Sequence, residues 1–244
     1  MIKNTMALTS VICVWETLKL KRLMQDKFYN IKPAVGTKET GNGYPAAKMV
    51  SGYSFSAPDS VHRINNYSIP DFVPNISFEL AKGAKLCDMM TESAMPVFGF
   101  LISKRFKVFL QKFNLGNHIF LTGSVKDGIQ KHEYYWLYLL WDERPNNINF
   151  NDSSFYKKKY DANLGELNIS SIKDFKRTKE EIGSRYSIGY NPLVLVKFPE
   201  LDLWPVPFKG DIVVSSKLKQ EIENSEFTGI DFSEIDFLRS PLQV

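Results

Sequence analysis

The chain has 244 residues, 43% apolar and 24% charged, an ordinary globular composition that fits one large or two small domains. No apolar run approaches the roughly 20 residues that a membrane-spanning helix needs. The net charge of +4 is too small to argue for nucleic acid or anionic membrane as a partner.

At the N-terminus, Met6 to Trp15 form a mostly apolar stretch behind Lys3, but Glu16 follows at once and no small-residue cleavage motif appears. Met24 opens Met-Gln-Asp-Lys-Phe-Tyr-Asn-Ile-Lys-Pro, which reads as a chain start leading into a first strand. Residues 1–23 are therefore expected to be a non-core extension. The rival reading is an amphipathic helix with Val11, Val14 and Leu18 on one face. Pro33 to Pro74 is rich in turn residues and should be mainly loops, with short strands around Lys48 to Phe55.

Ile76 to Leu80 reads as a strand, Met95 to Ile102 as a buried strand, and His118 to Leu121 and Glu133 to Trp141 as two more. Pro145-Asn146-Asn147 breaks the pattern. It divides an N-terminal half, 24–145, from a C-terminal half, 146–244, and the two are expected to share one core. Phe155 to Tyr160 reads as an edge strand guarded by Lys157, Lys158 and Lys159. Ile172 to Ile182 predicts a polar helix ending at Gly183. Leu193 to Phe198, Leu203 to Val206, Ile212 to Val214 and Ile230 to Phe232 complete the strands. The pattern predicts an α+β fold with mixed or antiparallel sheets and a few packed helices. Aromatic residues make up 14%, so the core should be rich in Phe and Tyr.

The chain also repeats itself. Ile102-Ser103-Lys104-Arg105-Phe106-Lys107 returns as Val214-Ser215-Ser216-Lys217-Leu218-Lys219, an offset of 112 that continues without a gap to place Leu110 on Ile222, Leu115 on Phe227 and Phe120 on Phe232. Ser103 and Ser215 are natural N-caps, since a hydroxyl accepts a bond from a free N–H of the first turn. Phe106, Phe109, Leu110 and Phe113 share one helical face, whereas the second copy keeps only Leu218 and Ile222 and should pack less deeply. Two divergent strand-helix-strand units are the expectation.

Those segments resemble a family of immunity proteins from bacterial polymorphic and contact-dependent toxin systems. Val214 to Phe232 resembles its closing helix followed by "T-G-I-D-F". Gly83-Ala84-Lys85-Leu86-Cys87-Asp88 resembles its "G-A-K-L-T-D" element, with Cys87 where Thr is more usual. Leu101 to Phe106 resembles its "I-S-x-(K/R)-F" element, and Leu201-Asp202-Leu203-Trp204 its "D-L-F" element. The resemblance spans roughly Ile76 to Phe237. It implies a cytoplasmic protein that binds a cognate toxin encoded beside it and blocks the toxin's active site without catalysis.

Chemistry-bearing motifs are sparse. His62, His118 and His132 lack ligand spacing on any helix, and Cys13 and Cys87 are too few and too far apart for a zinc motif. Two buried thiols are preferred over a disulfide. The sequence contains no P-loop, no G-x-S-x-G and no H-E-x-x-H. Gly123 to Gly128 lacks a nucleotide-site context, and Asp142-Glu143 and Glu180-Glu181 read as solvated surface. No catalytic residue, cofactor or metal is expected.

Charge patterning is more informative. Lys157, Lys158, Lys159, Lys173, Lys176, Arg177, Lys179 and Arg185 form a basic stretch. Glu221, Glu223, Glu226, Asp231, Glu234 and Asp236 form an acidic one, the expected toxin contact, since a plug for a basic nuclease cleft must present carboxylates. Variable loops such as Gly36 to Pro74 are the rival location. Lys104, Arg105 and Lys107, and then Lys217 and Lys219, sit in first helical turns, where the dipole disfavours cations by about 0.3–1 kcal/mol each. Water or an acidic partner must offset that. Two further functions stand beside the immunity reading: a nucleic-acid module using the 155–186 stretch with Phe155, Tyr156, Tyr160 and Tyr186, and an enzyme with an unrecognised site.

Overall fold

The computed structural model describes residues 27–65, 67–140, 147–208 and 210–239. Among them the fold is α+β, with three α-helices and fifteen strands. The six-stranded sheet is built from β2 (Ala47–Met49), β3 (Ile76–Leu80), β4 (Met89–Met90), β5 (Gly99–Ser103), β6 (His118–Asp127) and β7 (Gln130–Leu139), in the order β2-β3-β6-β7-β5-β4. Helix α1 (Lys104–Leu110) follows β5. A three-stranded sheet, β10-β8-β9, comprises β8 (Phe155–Lys159), β9 (Ala162–Leu167) and β10 (Ser187–Tyr190), with α2 (Ile172–Ile182) between β9 and β10. A four-stranded antiparallel sheet, β12-β13-β1-β14, joins β12 (Leu203–Pro205), β13 (Ile212–Ser215) and β14 (Ile230–Glu234) to the first strand, β1 (Phe28–Pro33). Helix α3 (Ser216–Glu223) follows β13. Strands β11 (Leu193–Val194) and β15 (Leu238–Arg239) pair in parallel.

Strand alternation divides the interior into three layers. On β7, Tyr135, Leu137 and Leu139 face a central core with Ile102, Phe106 and Leu110, and this core also contains Ile31, Val214, Leu218 and Ile222 from the other sheet. Tyr134, Trp136 and Tyr138 face a second core with Phe78, Val125 and the buried Val61 and Ile64 of the loop region. Phe28, Trp204 and Val213 face a third, against Phe155, Ile188, Leu193 and Leu195.

Both helices flanking the central core begin in the same way. Ser103 Oγ accepts the N–H of Phe106 at 3.1 Å, and Ser215 Oγ that of Leu218 at 3.1 Å. The Ser103 hydroxyl donates to Asp88 Oδ1 at 2.7 Å and its N–H to the Asp88 carbonyl at 2.9 Å. Ser215 makes the same two bonds to Asp202, at 2.8 and 2.9 Å. Each aspartate also reaches across to the loop after the other helix. Thr228 N–H donates to Asp88 Oδ2 at 2.9 Å, and Asn114 N–H to Asp202 Oδ2 at 3.1 Å. The aspartate N–H groups return the bond, Asp88 to the Thr228 carbonyl and Asp202 to that of Asn114. The sheet registers agree as well: Tyr135 faces Ile102 and Thr122, while Tyr29 faces Val214 and Glu234. Strand β1 thus holds in its sheet the place that β7 holds in the other.

Several expectations need correction. The repeat is not gapless. By hydrogen-bond role Asn114 matches Thr228 and Phe113 matches Phe227, so the first unit reaches its loop two residues earlier and then spends two more before β6. The second helix does not pack less deeply: Leu218 and Ile222 are as buried as Phe106 and Leu110, while Phe109 and Phe113 are only half-buried. The aliphatic pair belongs to a helix that packs on both β13 and β1, whereas the two Phe rings lie against each other, Phe109 also touching Phe227. Strand β8 is the middle of its sheet, not an edge, paired with β9 on one side and β10 on the other. Only Leu193 and Val194 of the Leu193 to Phe198 run form a strand, because the parallel partner β15 is two residues long. The junction at Pro145 and the extension 1–23 lie outside the described residues, although Asn147 just beyond the junction is included.

Candidate partner-binding surfaces

The six acidic residues lie on α3, the turn after it, β14 and, for Asp236, the bend beyond β14, and three are neutralised within the chain. Glu223 pairs with Lys219 at 2.6 Å, Glu234 with Lys27 at 2.7 Å and Asp231 with Lys32 at 3.3 Å. The Lys27 ammonium, bonded to Glu234, holds that carboxyl below the ordinary carboxylate value. Glu221, Glu226 and Asp236 are exposed and make no ion pair among the described residues. Along β14 Glu234 shares a face with Phe232, which packs on the central core, whereas Asp231 points to the opposite face. The structure therefore does not gather all six on one surface.

The cations in the first turns have partners inside the chain. Lys104 pairs with Glu133 at 2.8 Å. Arg105 grips both oxygens of Asp88, and its guanidinium lies 4.7 Å from the Phe227 ring. Lys107 sits 3.7 Å over Tyr135, and Lys219, at the matching place, 5.0 Å over Tyr29. Lys217 lies 5.6 Å from the Phe113 ring. Carboxylates and ring faces of the fold supply what the helix dipole withholds. Burial pushes the Asp88 carboxyl up, but the bonds from Arg105, Ser103 and Thr228 outweigh it and hold the group below its ordinary value.

The basic stretch is arranged differently. Helix α2 starts at Ser171, which accepts the Asp174 N–H and donates to its carboxylate, and ends at Gly183 with φ +70°. Arg177 is committed to Asp174 at 2.9 Å and Glu181 at 3.7 Å. Lys176 and Lys179 are exposed, with no ion pair among the described residues. They border a groove of about 270 Å³ whose other walls are Tyr67, Ile172, Phe175, Ser187, Ile188 and Phe208. Phe175 and Phe208 stack at 3.7 Å along it. Tyr67 reaches the groove because the Tyr138 hydroxyl donates to the carbonyls of Asn65 and Ser68 on either side of it.

The rings of the 155–186 stretch are mostly engaged. Phe155 is buried, Tyr156 lies across Gly189, where any Cβ would stand 2.4 Å from the ring, and Lys157 covers Tyr186 at 3.9 Å. Only Tyr160 stands free, at 85% exposed.

The histidines sit apart. His62 lies 4.5 Å from the Phe55 ring at a tilt, His118 Nδ1 lies 2.7 Å from the Gly116 carbonyl, and the buried Nε2 of His132 has no hydrogen-bond partner among the described residues. His132 borders an open groove of about 390 Å³ with Ser77, Ser124, Lys131 and Glu133. Glu133 is already bonded to Lys104 and to the Tyr135 hydroxyl, which keep its carboxyl below the ordinary value. Cys87 is a buried free thiol, and Cys13 lies outside the described residues. Among the described residues no group of three or more His, Cys, Asp or Glu could hold a metal ion, and no helix is long and apolar enough to cross a membrane.

No protein-family model matches the chain, and no curated protein is significantly similar to it. The resemblance to immunity proteins rests on the quoted fragments and their order.

Proposed function

We propose that the chain is an immunity protein, which binds and neutralises a cognate bacterial toxin encoded beside it by covering the toxin's active site, without catalysis, in the cytoplasm of the producing cell. One observation carries the reading. The fragments that resemble the family meet in three dimensions: Asp88, Ser103 and Arg105, Asp202 and Ser215, and Thr228 make up the reciprocal hydrogen-bond frame together with Asn114, which lies between the fragments. Shared motifs that build a frame leave the peripheral loops and helices free to differ between partners, which suits a set of antidotes to unlike toxins. Co-expression with the product of the gene immediately upstream tests it. Restored growth and a co-purifying complex are expected; a toxin that still kills in the presence of folded chain would sink the reading.

The nucleic-acid module is the second reading, favoured by the unpaired Lys176 and Lys179. It is weaker because Phe155, Tyr156 and Tyr186 are buried or already covered, which leaves Tyr160 alone as a free ring, and a single strand needs several. The enzyme reading has the His132 groove as its location.

A further inference from the structure

We infer that the groove between α2, β10, Tyr67 and Phe208 is a docking site for an acidic segment of a partner protein that carries one apolar anchor. This deepens the toxin-binding reading and rests on it, and it moves the contact surface away from the acidic stretch.

The argument begins with charge that the fold leaves unspent. The carboxylates of Glu223, Glu234 and Asp231 are neutralised by lysines of this chain, as are the cations Lys104, Arg105 and Arg177 by its carboxylates. Among the described residues Lys176 and Lys179 have no such partner, and no carboxylate lines the groove they border. Three residues apart on a helix, they project from neighbouring positions on one side, so their ammonium groups can meet two carboxylates of one short segment. Glu180 stands one helical turn from Lys176 but forms no ion pair with it among the described residues, unlike Asp174 and Glu181 with Arg177.

Between the two lysines and the sheet the surface is apolar. Ile172, Phe175, Ile188 and Phe208 form the floor, and Tyr67, 60% exposed, stands at the rim. A large ring held in the open by a pinned loop has the character of an interface anchor, offering wide contact area for little lost freedom. About 270 Å³ accommodates one large apolar side chain, not a folded domain. The matching ligand is therefore an aromatic or aliphatic residue flanked by Asp or Glu.

A single nucleic-acid strand would also bring negative charge, but it needs several free ring faces in a row. Phe175 and Phe208 stack on each other at 3.7 Å, which leaves Tyr67 as the one exposed ring of the groove lining and not a stacking platform.

The test is a titration of the full chain with a fluorescein-labelled peptide, Glu-Glu-Phe-Glu-Glu, read by anisotropy. Parallel titrations use the same peptide with Ala for Phe and a labelled oligothymidylate. Expected is saturable binding that weakens about tenfold or more in the Lys176→Glu/Lys179→Glu variant and severalfold in Tyr67→Ala, with circular dichroism unchanged. Replacing Phe by Ala in the peptide should also cost severalfold. A charge-matched control, Lys126→Glu/Lys131→Glu on the β6–β7 hairpin, should bind as wild type. Equal loss in that control, indifference to the Phe anchor, or tighter binding of oligothymidylate than of the peptide would overturn the proposal, the last in favour of nucleic acid. The protein encoded upstream separates the two levels. If it binds wild type and the Lys176→Glu/Lys179→Glu variant equally, the groove is not the contact and the immunity reading stands. If it does not bind wild type at all, the immunity reading falls and the peptide titration alone decides the groove.

Discussion

Asp88 and Asp202 do the same work at opposite ends of the central core: each holds the serine that caps the helix following it and the loop that leaves the other helix. The two differ in that the Thr228 hydroxyl adds a bond to Asp88 at 3.2 Å, and in one charged neighbour. Asp88 is nearly buried and carries Arg105 on both oxygens, whereas position 217, at the place of Arg105, is a lysine that turns to the Phe113 ring. Asp88→Asn leaves donors facing a donor and should cost about 2–4 kcal/mol, since a buried charged acceptor is lost. Asp202→Asn should cost about 1–2 kcal/mol. Urea midpoints read both; equal costs would mean that Arg105 adds nothing.

Acid sensitivity follows from the same carboxylate. Its pKa is lower in the folded chain than in the unfolded one. The unfolded chain then binds the proton first, so the stabilisation is present above the unfolded value of about 3.9 and is lost as pH falls through the folded value. Wild type should lose stability relative to Asp88→Asn on acidification below about pH 4 and in no other range. A constant difference between the two from pH 7 to pH 2 would contradict this.

Gly229, in the Thr-Gly-Ile-Asp-Phe segment, has φ +75°, and a Cβ there would lie 2.3 Å from the Met89 carbonyl oxygen. Gly229→Ala meets both left-handed strain and backbone contact, so a loss above about 2 kcal/mol is expected. Gly128→Ala has φ +57° but open space, and should cost only about 1 kcal/mol. Thermal melts of the two variants compare them directly.

Truncation of the core faces should follow burial and not residue size. Phe106→Ala should cost about 3–5 kcal/mol and Leu218→Ala about 2–5, because both are fully buried. Phe109→Ala should cost less than either, its ring being partly in water. A Phe109 variant as damaging as Phe106 would show that the rim contact with Phe113 and Phe227 matters more than exposure suggests.

Deleting residues 1–23 is expected to leave the melting temperature unchanged. Deletion through Pro33 should abolish folding, because β1 lies between β13 and β14 and brings Ile31 to the central core and Phe28 to the third. A folded product lacking β1 would disprove its structural role.

What the sequence determined alone is local. Ser103 and Ser215 announce caps because a hydroxyl before an amphipathic run has a nearby N–H to accept, and Ile172 to Ile182 ends at Gly183 because only a residue without a Cβ turns there cheaply. Strand β3 shows through its apolar alternation, and β6 and β7 through their apolar and aromatic runs. Tertiary structure decided everything that depends on a distant partner. The sequence could not say that β1 would complete the sheet of the last helix, that β8 would be paired on both sides, or that Asp88 and Asp202 would exchange loops, since those pairings join residues 88 or more positions apart or depend on strands too short to carry a period. It also could not say which charges were spent. A lysine reads the same in sequence whether it faces Glu223 or open water, and only the packed chain shows that the acidic stretch is half neutralised while Lys176 and Lys179 are not.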